Sequence, residues 1–283
     1  MNINWYPGHM VKTKKQIIED LKLIDVVLEL LDARIPNASR NPEINEIVKD
    51  KKKIILLNKS DLAEENENKK WVKYYESIGI PAILTDSNSG KGIGEVTRKI
   101  EEIMKDTLMQ SAAKGRIGRS IRVAILGIPN VGKSSFINRI AKKNSTIVGN
   151  RPGVTRQKQW IRLSNKIELL DTPGVLWPKF ESEEVALNLS YTGTIKDELL
   201  EKSEVTYKLL EFLKENHIQN LIQRYKLENV DVSNMDITTL MDIIGKKRGA
   251  IVSGGEVDYE KVANIVIDDF RTGKLGKITL ERI

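Results

Sequence analysis

The sequence predicts an α/β domain with a mostly parallel sheet, followed by a smaller, mainly α-helical domain. Two observations carry this. Short apolar runs alternate with helical patterns as far as about residue 178, as expected of parallel strands joined by crossover helices. Beyond that point the strand signal fades and helical periodicity dominates. The domains are therefore read as 1–178, with an N-terminal segment 1–24, and 179–283.

Residues 11–24 carry Ile17, Leu21 and Ile24 at helical spacing. The apolar run 25–31 reads as a buried strand, and Asp32-Ala33-Arg34-Ile35-Pro36 as the loop after it. Asn41-Pro42 opens a helix, with proline in its first turn. Residues 53–57 form a second strand ending in Asn58-Lys59-Ser60-Asp61. A helix through 71–78 stops at Gly79. A third strand, 81–84, ends in Thr85-Asp86-Ser87, and a helix spans 94–104. The small, basic, glycine-containing stretch 111–120 reads as a connector. The strand 121–126 runs into a glycine-rich turn and a helix over 133–141. Two strands, 160–163 and 167–170, are joined by a polar hairpin, and the second ends in Asp171-Thr172-Pro173-Gly174. The main helical patterns afterwards lie at 204–214 and 259–273.

Composition excludes several chemistries. The 283 residues contain no cysteine, so disulfides, thiolate metal sites and cysteine nucleophiles are ruled out. No stretch approaches the ~18–20 apolar residues of a membrane span, and no membrane partner is expected. A net charge of +7 favours a polyanionic partner or a solvated lysine-rich surface. Aromatics at 5% argue against an extended base-stacking platform.

The strongest motif is Gly127-Ile128-Pro129-Asn130-Val131-Gly132-Lys133-Ser134, a phosphate-binding loop between a predicted strand and a predicted helix. Its backbone N–H groups and the helix N-terminus suit phosphate oxygens. Lys133 is expected to reach the β- and γ-phosphates and Ser134 to ligate Mg²⁺. Val131, Gly132 and Ser135 belong to the same nucleotide-binding stretch. Asn58-Lys59-Ser60-Asp61 places a carboxylate where guanine offers N1–H and its N2 amino group. Adenine offers a lone pair at N1 and no N2 amino group, so the motif selects GTP and GDP over adenine nucleotides and disfavours an ATP-dependent RNA enzyme. Asn58 can bond the purine edge, and the Lys59 stem can lie along the base. Asp86 and Ser87 lie in the loop expected at guanine O6. Asp171 can hold a Mg²⁺-bound water, and the Gly174 N–H can meet the γ-phosphate. Thr155, in Gly153-Val154-Thr155-Arg156, is the candidate switch threonine on Mg²⁺, with Thr146 as the alternative.

The order of these motifs is unusual. Most GTPases run from phosphate loop to guanine motifs; here the guanine motifs come first. Joining the usual chain ends near 111–120 and opening the chain near 176 gives a circularly permuted P-loop GTPase domain. With this order, the N-terminal Trp5-Tyr6-Pro7-Gly8-His9-Met10, the Asp32–Pro36 loop and the helical C-terminal domain, the chain resembles the circularly permuted ribosome-biogenesis GTPases over nearly its whole length. The resemblance implies a cytoplasmic factor that hydrolyses GTP to GDP and phosphate in late maturation of the large ribosomal subunit. Its implied partners are rRNA and ribosomal proteins of the subunit precursor.

The catalytic group is the open question. Val175 stands where many GTPases carry a water-orienting glutamine. The resemblance points to His9 as a substitute, against a histidine merely packed or exposed near the N-terminus; His217 reads as structural. Asn130 is a candidate K⁺ ligand by resemblance to related GTPases, or a loop asparagine bonded to backbone. The basic segments 245–248 and 271–277 are candidate RNA contacts or solvated loops. The competing reading is a nucleotide-sensing, rRNA-binding scaffold with negligible catalysis.

Overall fold

The computed structural model describes residues 8–115, 118–144, 160–164, 166–177 and 180–283. The described residues form two compact units, one spanning Phe180–Leu280 and the other made of the preceding residues together with Glu281–Ile283. The sequence had read Glu281–Ile283 with the helical domain. The Glu281 carboxylate and carbonyl make their hydrogen bonds to Asn37, Ala38 and Trp71, which draws the chain end back to the first unit.

The first unit is built on six strands: β1 (Val26–Asp32), β2 (Lys52–Asn58), β3 (Ala82–Leu84), β4 (Ile121–Leu126), β5 (Trp160–Ser164) and β6 (Ile167–Asp171). They run in the order β3-β2-β1-β4-β6-β5, and only the β5–β6 pair is antiparallel. β1 is buried at all seven positions, which is why it is apolar but for Glu29 and the terminal Asp32. Buried Glu29 is offset by Arg40 at 3.4 Å and Lys53 at 3.6 Å.

The first three strands in the chain, β1, β2 and β3, form one side of the sheet, and the later β4, β6 and β5 form the other. The sheet reverses direction of growth between β1 and β4, the position at which open α/β sheets place their ligands beyond the strand carboxyl ends. Every predicted nucleotide motif described here leaves one of these ends. In register, Asp32 stands opposite Asn58, Leu57 opposite Leu84, Glu29 opposite Leu126, and Ile125 opposite Asp171.

The helices of this unit are α1 (Gly8–Leu21), α2 (Pro42–Ile47), α3 (Glu65–Ser77), α4 (Ile93–Ala113) and α5 (Lys133–Asn144). Ile17, Leu21 and Ile24 are all buried, in one cluster with Val27, Ala124 and Val175. Ile24 lies beyond the end of α1, so burial extends the periodic pattern past the helix. α4 continues to Ala113 rather than stopping near residue 104, so the connector read from 111 begins inside a helix. The small residues that looked like a linker, Ala112 and Ala113, are also the best helix formers.

The second unit contains α6 (Glu183–Tyr191), α7 (Lys202–Asn216), α8 (Ile218–Tyr225), α9 (Ile237–Arg248) and α10 (Tyr259–Arg271), with a short 3₁₀ turn at Asp197–Leu199. α10 buries Val262, Ala263, Val266, Ile267 and Phe270 along one face. Asp269, buried on the same helix, is held by a bidentate bond from Arg224 at 2.6 and 2.8 Å. His217 lies at the junction of α7 and α8, with its ring 5.7 Å from that of Phe212.

Among the described residues no helix is long and apolar enough to cross a membrane.

Candidate functional site

The phosphate-loop sequence spans the turn from β4 into α5. Two of its residues adopt left-handed backbone, Asn130 at φ 58° and Gly132 at φ 98°. At Gly132 a side chain would be strained and its Cβ would strike the Asn58 amide, so glycine is required there on two counts. A Cβ on Gly127 would lie 2.6 Å from the Leu30 carbonyl oxygen of β1. The loop is thus packed hard against the sheet edge.

Lys133, at the start of α5, curls back over the loop. Its Nζ donates to the carbonyls of Gly127 at 3.0 Å and Ile128 at 2.9 Å. Burial pushes its ammonium down to about 8, against the opposing pull of Asp171. Burial raises the Asp171 carboxyl, and Lys133 partly restores its ionisation. Gly174 closes the same corner: a Cβ there would lie 2.8 Å from Lys133 Nζ and 3.0 Å from the Pro129 nitrogen. The Asp-Thr-Pro-Gly turn therefore meets the phosphate loop at its lysine. Thr172 fixes the turn by donating its hydroxyl to the Ile125 carbonyl of β4. Ser134 and Ser135 are exposed at the helix start.

The guanine motif is tied to the phosphate loop by Asn58. Its Nδ2 donates to the Val131 carbonyl at 2.9 Å. Its Oδ1 accepts from the Ser87 backbone at 3.2 Å and from the Ser87 hydroxyl at 2.8 Å. One asparagine, 2% exposed, thus joins three loops that come from β2, β3 and β4. The sequence had offered it to the purine edge; the structure engages its oxygen and one amide hydrogen with protein.

Lys59 is also left-handed, at φ 57°. Its Nζ donates to the Asn130 carbonyl at 2.8 Å and pairs with Asp32 at 3.0 Å. Asp61 is exposed at the loop end, its carboxyl pushed up by partial burial and by the nearby Asp86 carboxylate. Asp86 turns its own loop, accepting from the Asn88 N–H at 2.8 Å; bonds from Ser89 and Asn88 hold its carboxyl low despite burial. Arg139 of α5 donates to the Ser87 carbonyl at 3.1 Å and so braces the same loop.

Asp32 and Arg34 carry no predicted role beyond their loop. They form a buried bidentate pair at 3.0 and 2.8 Å, each residue 1% exposed. Burial opposes ionisation of Asp32, but Arg34 and Lys59 outweigh it and hold the carboxyl well below the usual range. An acid at a strand end with an arginine two positions on was the available signal.

Asn41 was read only as a helix opener. Its Oδ1 caps α2 at Glu43 and Ile44, while its Nδ2 donates to the Val175 carbonyl at 3.1 Å.

Two candidates remain outside this constellation. Thr155, like its alternative Thr146, lies outside the described residues. His9 falls in the first turn of α1, but the placement of its side chain lies outside what is described.

Of the basic residues proposed for RNA, Arg271 bonds Asp197 and the carbonyls of Ser190 and Tyr191, and Arg248 lies over the Tyr225 ring at 5.2 Å. These two brace the helical unit. Lys246, Lys247 and Lys277 are exposed.

The architecture and its motifs have close counterparts. A family model described as a 50S ribosome-binding GTPase matches residues 122–239. Ribosome biogenesis GTPase A of Bacillus licheniformis is 47% identical over 100% of this chain and 99% of its own length. The chain belongs to the ribosome biogenesis GTPase A family. The Thermotoga maritima member is 32% identical over 99% of this chain and 94% of its own. The crystal structure of GNP-bound YlqF from T. maritima superimposes with a TM-score of 0.68 at 28% identity, covering 96% of this chain and 98% of that one. This family likeness accounts for the P-loop GTPase fold and for guanine motifs that precede the phosphate loop.

Proposed function

We propose that the chain binds GTP and GDP at the carboxyl edge of its sheet, hydrolyses GTP, and serves as an assembly factor for the large ribosomal subunit. The observation that carries the nucleotide site is the approach of Gly174 to Lys133 Nζ, with Asn58 joining the guanine motif to the same loop. On this reading Gly174 would sense the γ-phosphate, Lys133 would bind phosphate and Asp61 would select guanine, all along one edge. Phosphate oxygens would replace the two carbonyls that Lys133 now bonds, and the exposed N-terminus of α5 would complete the cradle.

Mg²⁺ fits the donor chemistry. An exposed serine hydroxyl and a carboxylate, at Ser134 and Asp171, are hard oxygen ligands of the kind that ion takes alongside phosphates. Thr155 would add a second hydroxyl, and Asp171 would act through water. The ion would neutralise charge on the phosphates; Lys133 and the loop N–H groups would hold them. Asn130 would be the ligand for K⁺. His9 would orient the attacking water.

The homologues' names support a role in ribosome biogenesis; on the reading proposed here the large-subunit precursor would be the partner and the cytoplasm the place of action. The basic net charge agrees with an rRNA-rich partner.

One observation favours a second reading, a nucleotide-sensing scaffold with negligible catalysis. Val175 is 2% exposed and packs in the core with Val27 and Leu170, so the residue after Gly174 can orient no water. Phosphate release measured with and without large ribosomal subunits separates the two. Turnover that rises with the particle supports the enzyme; no turnover in either condition leaves the scaffold.

A further inference from the structure

We propose that Glu281 is a positioning residue for the guanine-nucleotide site, acting through the 32–40 loop on Lys59. This rests on the nucleotide-site reading above and adds to it a residue far away in sequence.

The 32–40 loop is closed on itself at most points. Ile35 N–H donates to the Asp32 carbonyl at 3.0 Å and Ser39 N–H to the Ile35 carbonyl at 2.9 Å. The Ser39 hydroxyl donates to Ile35 at 2.7 Å and accepts from the Asp32 N–H at 3.1 Å. The successive N–H groups of Asn37 and Ala38 instead take an outside partner, the Glu281 carboxylate. Asn37 N–H donates to Oε2 at 2.6 Å and Ala38 N–H to Oε1 at 2.9 Å. Two adjacent backbone donors converging on one carboxylate form an anion nest, and bonds of this kind are about twice as strong as neutral ones.

Glu281 is itself held on its other side. Its carbonyl accepts from Trp71 Nε1 of α3 at 3.1 Å, and Arg282 pairs with Glu64 at 3.5 Å. The residue therefore spans α3 and the loop tip. The loop's opposite end is Asp32, whose carboxylate holds Lys59. Lys59 in turn bonds the Asn130 carbonyl of the phosphate loop. Glu281, the Asn37–Ala38 nest, Asp32, Lys59 and Asn130 thus form one connected series within a single compact unit. Its central charges, Asp32 and Arg34, are buried, where a small displacement of an ion pair is costly. Loosening the tip is transmitted to the lysine that lies along the base.

The test is a double-mutant cycle on GDP affinity in the full chain, using Glu281→Ala, Lys59→Ala and the pair. Glu281→Ala is expected to weaken GDP binding about five- to tenfold, at the low end of ordinary site-to-site couplings. Glu281→Gln, which keeps the shape and loses the charge, should fall between it and the parent. It also carries the comparison if the alanine variant does not fold. On the Lys59→Ala background, losing Glu281 should cost nothing further.

An equal loss on both backgrounds would overturn the proposal, because Glu281 would then act elsewhere. Unchanged affinity together with faster amide exchange at Asn37 and Ala38 would reduce Glu281 to a structural staple and also overturn it. If Lys59→Ala alone leaves GDP binding intact, the guanine-site reading itself falls, which is a separate and recognisable outcome.

Discussion

Asn41 joins the chain leaving the Asp-Thr-Pro-Gly turn to the loop after β1: its Nδ2 donates to the Val175 carbonyl at 3.1 Å while its Oδ1 caps α2. Val175, Leu176 and Trp177 are buried, so the chain just after Gly174 is anchored. On the proposed reading, a γ-phosphate that draws on Gly174 would meet this anchor first. The same loop, a few residues earlier, holds Glu281, where the chain returns from the helical unit. Val175 and Glu281, both in the first unit, are thus bonded to residues 37–41.

The first prediction follows from that anchor. The parent protein is expected to bind large-subunit particles about 5–150-fold more tightly with a non-hydrolysable GTP analogue than with GDP, the usual range of allosteric coupling. Asn41→Asp keeps the helix cap and removes the donor. It should bring that ratio towards one while GDP affinity stays as in the parent. Asn41→Ala loses the cap as well and should cost about 1–3 kcal/mol of stability in urea unfolding. A particle-binding ratio unchanged in Asn41→Asp would show that the bond to Val175 is static.

Base selectivity is the second. Asp61 is the carboxylate proposed to accept from guanine N1–H and the N2 amino group, and a hydrogen bond to a charged group contributes about 1.5–3 kcal/mol. Asp61→Asn should weaken GTP binding by roughly ten- to 150-fold and improve binding of xanthosine triphosphate, whose 2-oxo group accepts the new amide N–H. Competition titrations with both nucleotides check it. GTP affinity equal to the parent's would remove Asp61 from the site.

These motifs were legible because their chemistry is local. A glycine-rich turn between strand and helix, or a polar tetrapeptide at a strand end, declares itself within eight residues. The parallel sheet was legible for the same reason, since β1 is buried throughout and β2 from Ile54 onward, and both are apolar over most of those positions. What escaped were links between distant positions. Nothing around Glu281 marks it as the partner of Asn37, and Asn41 shows only its capping half in sequence. Asn58 was assigned to the base, when its geometry also makes it the knot of three loops. In the basic stretches the sequence shows charge but not that Arg248 and Arg271 also brace their own unit.

The third prediction concerns pH. Burial holds Lys133 near 8 in the free protein, below the ordinary 10.5, and bound phosphate favours the charged form. Between the free and bound pKa values the complex carries a proton that the free protein lacks. GDP affinity should therefore be flat below about pH 8 and fall above it, by up to about tenfold per pH unit. Calorimetry in two buffers of different ionisation enthalpy at about pH 8.5 should register proton uptake on binding. For the free protein the sign is opposite: the unfolded chain binds the proton more tightly between about 8 and 10.5, so this lysine's contribution to stability rises with pH across that window. Flat affinity and no proton uptake to about pH 9 would mean that Lys133 stays charged throughout.

The fourth concerns turnover. Val175 is buried in the core and its carbonyl is taken by Asn41, so intrinsic hydrolysis lacks the side chain that usually orients water. Slow turnover alone and acceleration by a ribosomal particle are expected. If His9 supplies the missing group, His9→Ala should bind GTP as the parent does and lose most of the acceleration, a drop of about 10²–10⁴-fold for a general acid–base residue. Equal stimulated rates in the two proteins would discard His9. A cation at the phosphate loop is a separable contribution. Asn130 is exposed, with left-handed backbone and a carbonyl that accepts from Lys59, and it is the proposed K⁺ ligand. Replacing NaCl by KCl at constant ionic strength should then raise the rate in the parent and leave Asn130→Ala unmoved. The same rate in both salts would place Asn130 in the loop as a backbone element alone. Running the His9 and Asn130 variants together distinguishes the two contributions: independent roles multiply, whereas a shared step leaves the double variant no slower than the worse single one.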